Sequence, residues 1–156
     1  MPSRRTQVEM SPEEIRTYLR SNRLLVLVSN GPGGFPHPMP MNYALDDQDR
    51  FLMTTFAKSQ KALNLKRDPR ASLLVETGDS YVEFKSVIAY ATAEIIEDRQ
   101  GVADVFHAIA KTMQGHIAET SAVRAQADAS LPKRIGLRFK PTRYVSWDHS
   151  KLQGRY

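Results

Sequence analysis

The chain has 156 residues and a mass of 17.6 kDa, the size of one domain, and its 41% hydrophobic content is enough to fill one core. It contains no cysteine, which excludes disulfides, zinc-thiolate sites, iron-sulfur clusters and thiol nucleophiles. A formal charge of +5 and a pI near 9.6 favour anionic partners without choosing among phosphorylated cofactors, nucleic acid and acidic lipid.

Residues 1–10 are polar and basic, an expected mobile tail ahead of a single domain over 11–156. MPSRRTQVEM lacks the apolar stretch of a secretory signal, and no apolar run approaches the roughly 20 residues of a membrane span, so the expected location is cytoplasmic with no membrane partner. Ser11 opens a helix. SPEE supplies a serine N-cap, a proline at the first helical position and Glu14 as the capping-box partner, with Ile15, Tyr18 and Leu19 facing inward and an end near Asn22. Leu24 to Asn30 is a buried strand, and GPGG turns the chain back as FPHPMPMNYAL, Phe35 to Leu45. Each of the three prolines in that return strand removes a ladder donor, so the strand belongs at an edge or beside something that needs no N–H from it.

DDQDR turns into the strand FLMTTF, followed by a short helix and a strand from Ala71 to Glu76. After the turn TGDS, Tyr81 to Ile96 reads as one long or bulged strand rich in β-branched and aromatic residues. Asp98 caps a helix whose inward stripe is Val102, Val105, Phe106, Ile109, Met113 and Ile117. Residues 118–132 read as a loop or frayed helix end, and the last strand runs from Lys133 to about His149 with an interruption at Pro141. The pattern predicts a mainly β fold, a small six-stranded barrel with covering helices.

Two stretches carry candidate chemistry. In TTFAKSQK, Thr54 to Lys61, two lysines stand where a helix begins, although its free N–H groups and macrodipole make a cation there cost a few tenths to about 1 kcal/mol. Thr54, Thr55, Lys58, Ser59 and Lys61 would together make an anion site, with Lys61 exposed; the alternative is a solvated lysine pair. In HPMPMNY, the Met39–Asn42 segment offers a flat apolar edge for a planar ring; the alternative is an edge strand that proline protects from aggregation. The four histidines, His37, His107, His116 and His149, have no metal-ligand spacing, so no metal site is expected. Nucleic-acid binding is disfavoured because most aromatics fit core positions rather than a basic strand face.

SQKALNLKRDPRASLLVE, YVEFKSVIAYATAEIIED and RYVSWDHSKL, together with the order of elements, resemble the pyridoxamine 5'-phosphate oxidase-like, FMN-binding split-barrel family. Within it they resemble the branch that uses the deazaflavin coenzyme F-420. The resemblance implies a homodimer of split β-barrels with each site in a groove between subunits. It implies that Lys61, with Thr54, Thr55, Lys58 and Ser59, holds the cofactor phosphate, and that Met39, Pro40, Met41 and Asn42 line the ring. The implied activity is hydride transfer between F-420 and a small conjugated or quinone-like substrate, with Lys58, Lys66 and Arg67 attracting the acidic tail of F-420. FMN in place of F-420, or a non-catalytic flavin, deazaflavin or haem carrier, are the alternatives. The resemblance assigns no catalytic acid or base; a water or a tyrosine would supply protons.

Overall fold

The computed structural model describes residues 3–115 and 120–154. Helix α1 (Arg4–Val8) precedes α2 (Pro12–Ser21), whose Ser11 and Glu14 form the expected capping box. The strands are β1 (Leu24–Asn30), β2 (Pro36–Asn42), β3 (Ala44–Leu45), β4 (Phe51–Phe56), β5 (Arg70–Thr77), β6 (Lys85–Ile96) and β7 (Arg134–Asp148). Helix α3 (Gln60–Arg67) joins β4 to β5, and α4 (Arg99–Thr112) and α5 (Ser121–Ser130) lie between β6 and β7.

All neighbouring strands are antiparallel, in the order β2-β1-β5-β6-β7-β4-β3. The outermost strands, β2 and β3, are separated in the chain by Tyr43 alone. A sheet whose opposite edges stand one residue apart has to curl on itself, and the result is a split barrel. The six expected strands become seven because the return stretch bends at Tyr43, pairing with β1 before the bend and with β4 after it. Tyr43 pins the bend: it is 1% exposed, its hydroxyl donates to the Leu19 carbonyl at 2.6 Å, and its ring centroid lies 5.3 Å from that of Phe51. Burial pushes its phenol pKa well up, so it is a fixed donor.

The barrel interior holds Leu25, Leu27, Phe51, Met53, Leu73, Val75, Val87, Leu137 and Phe139, with Ala62 and Leu65 of α3 and Leu19 of α2 closing its ends. A second, smaller cluster packs α4 through Val102 and Val105 against Ala44, Leu52 and Ile96 on the outer face of the sheet. Among the described residues no helix is long and apolar enough to cross a membrane.

Four expectations need correction. Met10, assigned to the mobile tail, is buried, and its N–H donates to Ser146 Oγ at 3.1 Å. The long strand begins at Lys85, since Tyr81–Glu83 forms a 3-10 turn. The last strand does not break at Pro141. Tyr90 faces Arg143 and Ala91 faces Pro141, so Thr142 is the extra residue of a bulge, and its hydroxyl donates to the Tyr90 carbonyl at 3.0 Å. Much of 118–132 is helix α5, started by Thr120, whose Oγ1 accepts from the Val123 N–H. Ile117 and His116 fall outside the described residues.

Candidate functional site

The site begins where the barrel is split. The N–H of Asp46 donates to the Arg50 carbonyl, and β3 pairs Ala44 with Leu52. Carrying that register back past Tyr43 brings Asn42 level with Thr54 and Pro40 level with Phe56, but no pairing forms there. Proline limits what could form: beyond Asn42 and Thr54, continuation of the ladder would require an N–H from Pro40, which has none. The strands part, and a cavity of about 800 Å³ opens at the gap. Pro40, Met41 and Asn42 form one wall and Thr54 and Arg134 another, while Phe106, His107, Ile109 and Met113 of α4 and Val123 and Ala127 of α5 cover it.

At the β4 side of this gap the chain turns into α3. Ser59 caps the helix, accepting from the Ala62 N–H, and Lys61 occupies its second position, as expected. The first turn holds no acidic residue. Lys61 is half-buried rather than exposed, and its ammonium pKa is lowered first by burial and then by the charge of Arg134.

Arg134 opens β7 directly opposite Phe56. Its Nε donates to Ser130 Oγ at 2.9 Å and one terminal nitrogen to Thr54 Oγ1 at 3.2 Å, and its guanidinium lies 4.4 Å from the Phe56 ring centroid. Burial lowers its pKa as well. Among the described residues neither Lys61 nor Arg134 meets a carboxylate. Two half-buried like charges without a counter-ion at a helix N-terminus are an unfavourable arrangement that an anion relieves.

The expected site residues divide. Pro40, Met41, Asn42 and Thr54 share the cavity, and Lys61 stands within the field of Arg134 beside it. Thr54 and Thr55 do not aim at one volume, because successive strand residues face opposite sides. Thr55 is 4% exposed and its hydroxyl lies 3.1 Å from that of Ser59, so it steadies the helix cap. Met39 is half-buried further along β2, and Lys58 is exposed before the cap; neither lines the cavity.

The KALNLKRDPR string is mainly structural. Lys66 pairs with Glu97 at 2.5 Å, Arg67 donates to the Asn30 carbonyl, buried Asn64 donates to Ser29 Oγ at 3.0 Å, and Arg70 bonds Asp68, holding that carboxyl well below the usual range. Lys66 and Arg67 are thereby engaged in contacts at the surface of this chain instead of free for an acidic tail.

The sequence reading missed Arg134, the α4–α5 cover and His107. A basic residue at a strand start gives no local signal; only the β4–β7 register places Arg134 beside Thr54. Among the described residues no tyrosine lines the cavity, and its wall includes His107 and Asp128.

Residues 11–148 match the family described as pyridoxamine 5'-phosphate oxidase. No curated protein matches the chain. Among solved structures, it is similar to the conserved hypothetical protein Rv2991 from Mycobacterium tuberculosis, at 36% identity and a TM-score of 0.82 over 99% of this chain and 94% of that one. An F420 reductase shares the fold at 21% identity and a TM-score of 0.67, covering 86% of this chain and 98% of the other. A FAD-binding protein from Mesorhizobium loti does so at 21% identity and 0.63, covering 88% and 92%. A split barrel with an uncompensated cation pair beside its gap, and a family match that runs through nearly every strand, place this chain in the pyridoxamine 5'-phosphate oxidase family of flavin-type oxidoreductases.

Proposed function

We propose that the protein binds the deazaflavin coenzyme F-420 in the gap between β2 and β4 and uses it to exchange a hydride with a small conjugated or quinone-like substrate. One observation carries this reading: Lys61 and Arg134, which form no ion pair among the described residues, adjoin a cavity whose opposite wall is the proline-rich strand Pro40–Asn42. A ligand with a phosphate at one end and a flat ring at the other suits both features. Lys61 and Arg134 would hold the phosphate, with the Thr54 hydroxyl orienting the guanidinium and Ser59 fixing the helix start. Pro40, Met41 and Asn42 would support the ring, and Lys58 would add positive potential outside the cap. When bound, the cofactor supplies the hydride; the chain positions it, and the apolar side chains of α4 and α5 exclude water from the ring. His107 stands where a proton could be delivered to the reduced substrate.

FMN is the second reading, since both cofactors present a ring, a ribityl chain and a phosphate. The pairing of Lys66 with Glu97 and the engagement of Arg67 weaken the argument that those charges select the acidic tail of F-420. A homodimer fits the reading, because Phe35 is 78% exposed and Leu24 55% exposed beside the open edge of β2. Titration of the purified protein with FMN and with F-420, followed by fluorescence, tests the cofactor. Stopped-flow oxidation of each reduced cofactor by a panel of conjugated acceptors then separates enzyme from carrier. Binding without acceptor-dependent oxidation favours the carrier, and oxidation of FMN alone overturns the choice of F-420.

A further inference from the structure

Helix α5 walls the cavity with Val123, Arg124, Ala127 and Asp128, yet it buries none of its ten residues. A helix that short with no buried face is marginal by itself, so its place over the cavity depends on how its ends are held. Its first turn is capped from within, by Thr120. At the other end the Ser130 hydroxyl is used twice. It donates to the Ala127 carbonyl at 2.7 Å, a bond within the helix, and it accepts from Arg134 Nε at 2.9 Å, a bond that joins the helix to the barrel. Leu131, which follows, packs on the smaller core cluster and fixes the chain just past the helix rather than along it.

The guanidinium that holds Ser130 is the one beside Lys61. It also donates to Thr54 Oγ1, and its centre lies 4.4 Å from the Phe56 ring centroid and 5.9 Å from that of Phe106 on α4. Among the described residues these two bonds are all that the guanidinium makes, and its remaining N–H groups meet no acceptor. Without an anion, Arg134 and Lys61 repel each other, and a swing of the guanidinium toward water breaks its bond to Ser130. An anion held by the remaining N–H groups reverses that balance, keeping Nε where it meets Ser130.

We infer that Ser130 is a positioning residue that ties α5 to the anion site through Arg134, so that an anion bound at Lys61 and Arg134 fastens the α5 cover over the cavity. This inference rests on the cofactor reading above and adds regulation to it: the phosphate reports that the cofactor is seated, and a ring without phosphate leaves the cover loose. Linkage makes the effect reciprocal. The factor by which the anion favours the fastened helix is the factor by which the fastened helix favours the anion.

Hydrogen exchange of the α5 amides in the full-length protein, read by mass spectrometry, compares FMN with riboflavin, and F-420 with the same deazaflavin lacking phosphate and tail. The phosphorylated cofactor that binds should slow exchange in α5 about three- to tenfold. Its phosphate-free counterpart, at equal saturation, should leave α5 within about twofold of the ligand-free protein. Ser130→Ala removes the bond and keeps the Arg134 charge, so it should abolish the protection and weaken the phosphorylated cofactor by the same factor, about three- to tenfold, with no change for the phosphate-free one. Ser130→Thr keeps the hydroxyl and should behave as wild type. Circular dichroism checks that each variant folds, and the wild-type ligand series stands by itself if Ser130→Ala does not. Unchanged α5 exchange with the phosphorylated cofactor bound, equal protection by the phosphate-free one, or a Ser130→Ala that weakens both alike overturns the inference and leaves the cofactor reading standing. Binding of neither phosphorylated cofactor overturns the cofactor reading and this inference with it.

Discussion

Replacing Lys61 with methionine should have opposite effects on ligand binding and on the stability of the ligand-free protein. Lys61→Met keeps the half-buried apolar stem and removes a charge that stands at the second position of α3, beside Arg134 and with no acidic neighbour in the first turn. A charge-assisted hydrogen bond to a phosphate contributes about 1.5 to 3 kcal/mol, so the variant should bind FMN or F-420 about ten- to 150-fold more weakly. Without ligand, a misplaced cation at a helix start costs a few tenths to about 1 kcal/mol after solvent screening. Its removal should leave the melting temperature unchanged or raise it by about 1 to 3 °C for a domain of this size. The sign of the pH effect follows from the lowered lysine pKa. Between that value and the ordinary lysine value the folded state holds fewer protons than the unfolded one, so the ligand-free wild type gains stability as pH rises through this window. Phosphate affinity falls over the same window, and Lys61→Met should show neither trend. Differential scanning fluorimetry and ligand titration across pH 7 to 10 provide both readouts. A variant that melts several degrees lower, with unchanged ligand affinity, would show that Lys61 is structural and refute the anion-site argument.

Arg134→Gln should weaken phosphate-ligand binding by about 1.5 to 3 kcal/mol while sparing the fold, and should move the Lys61 pKa back toward the ordinary lysine value; retained affinity in a titration would remove Arg134 from the site. Tyr43→Phe should destabilise the protein by about 1 to 3 kcal/mol, because the buried Leu19 carbonyl loses its donor at the bend that closes the barrel. A urea midpoint equal to that of wild type would refute that account of the closure. Light scattering should show a dimer at micromolar concentration; a monomer that binds cofactor as tightly would mean that one chain completes the site.

The expected elements were legible where the physics is local. Capping at Ser11, Ser59 and Asp98, the turn after Asn30 and the period-two alternation of β5 all depend on residues within a few positions of one another. The prolines of β2 were also legible as missing donors, and the structure gives that loss a place: the ladder between β3 and β4 stops at Ala44 and Leu52, and carried on past Asn42 it would have needed a bond from Pro40. What could not be read is set by pairings between distant strands. Thr54 and Thr55 are neighbours in sequence, yet the pleat sends one hydroxyl to Arg134, 80 positions away, and the other to Ser59. The basic string after Lys61 is misleading for the same reason, since Glu97 and Asn30, which engage Lys66 and Arg67, arrive from just beyond the end of β6 and from β1 respectively.

These long-range pairings also explain why the site sits where it does. A barrel of this size could close completely, and a closed ladder would use the main-chain groups of Asn42 and Thr54 on each other. The alternation fixed by the bond from the Ala57 N–H to the Lys133 carbonyl turns the Thr54 main chain away from β7, toward the same gap that Asn42 faces. Two strands therefore present unused ladder groups across a cavity that Arg134 lines, with Lys61 within the field of that charge. Unbonded main-chain groups at such a seam cost stability unless water or a ligand satisfies them, and two cations without an acid add to that cost. Both deficits are relieved by one kind of molecule, flat and hydrogen-bonding at one end and anionic at the other. Pro40 connects them, because the ring it replaces an N–H with keeps the seam from zipping shut beside the charge.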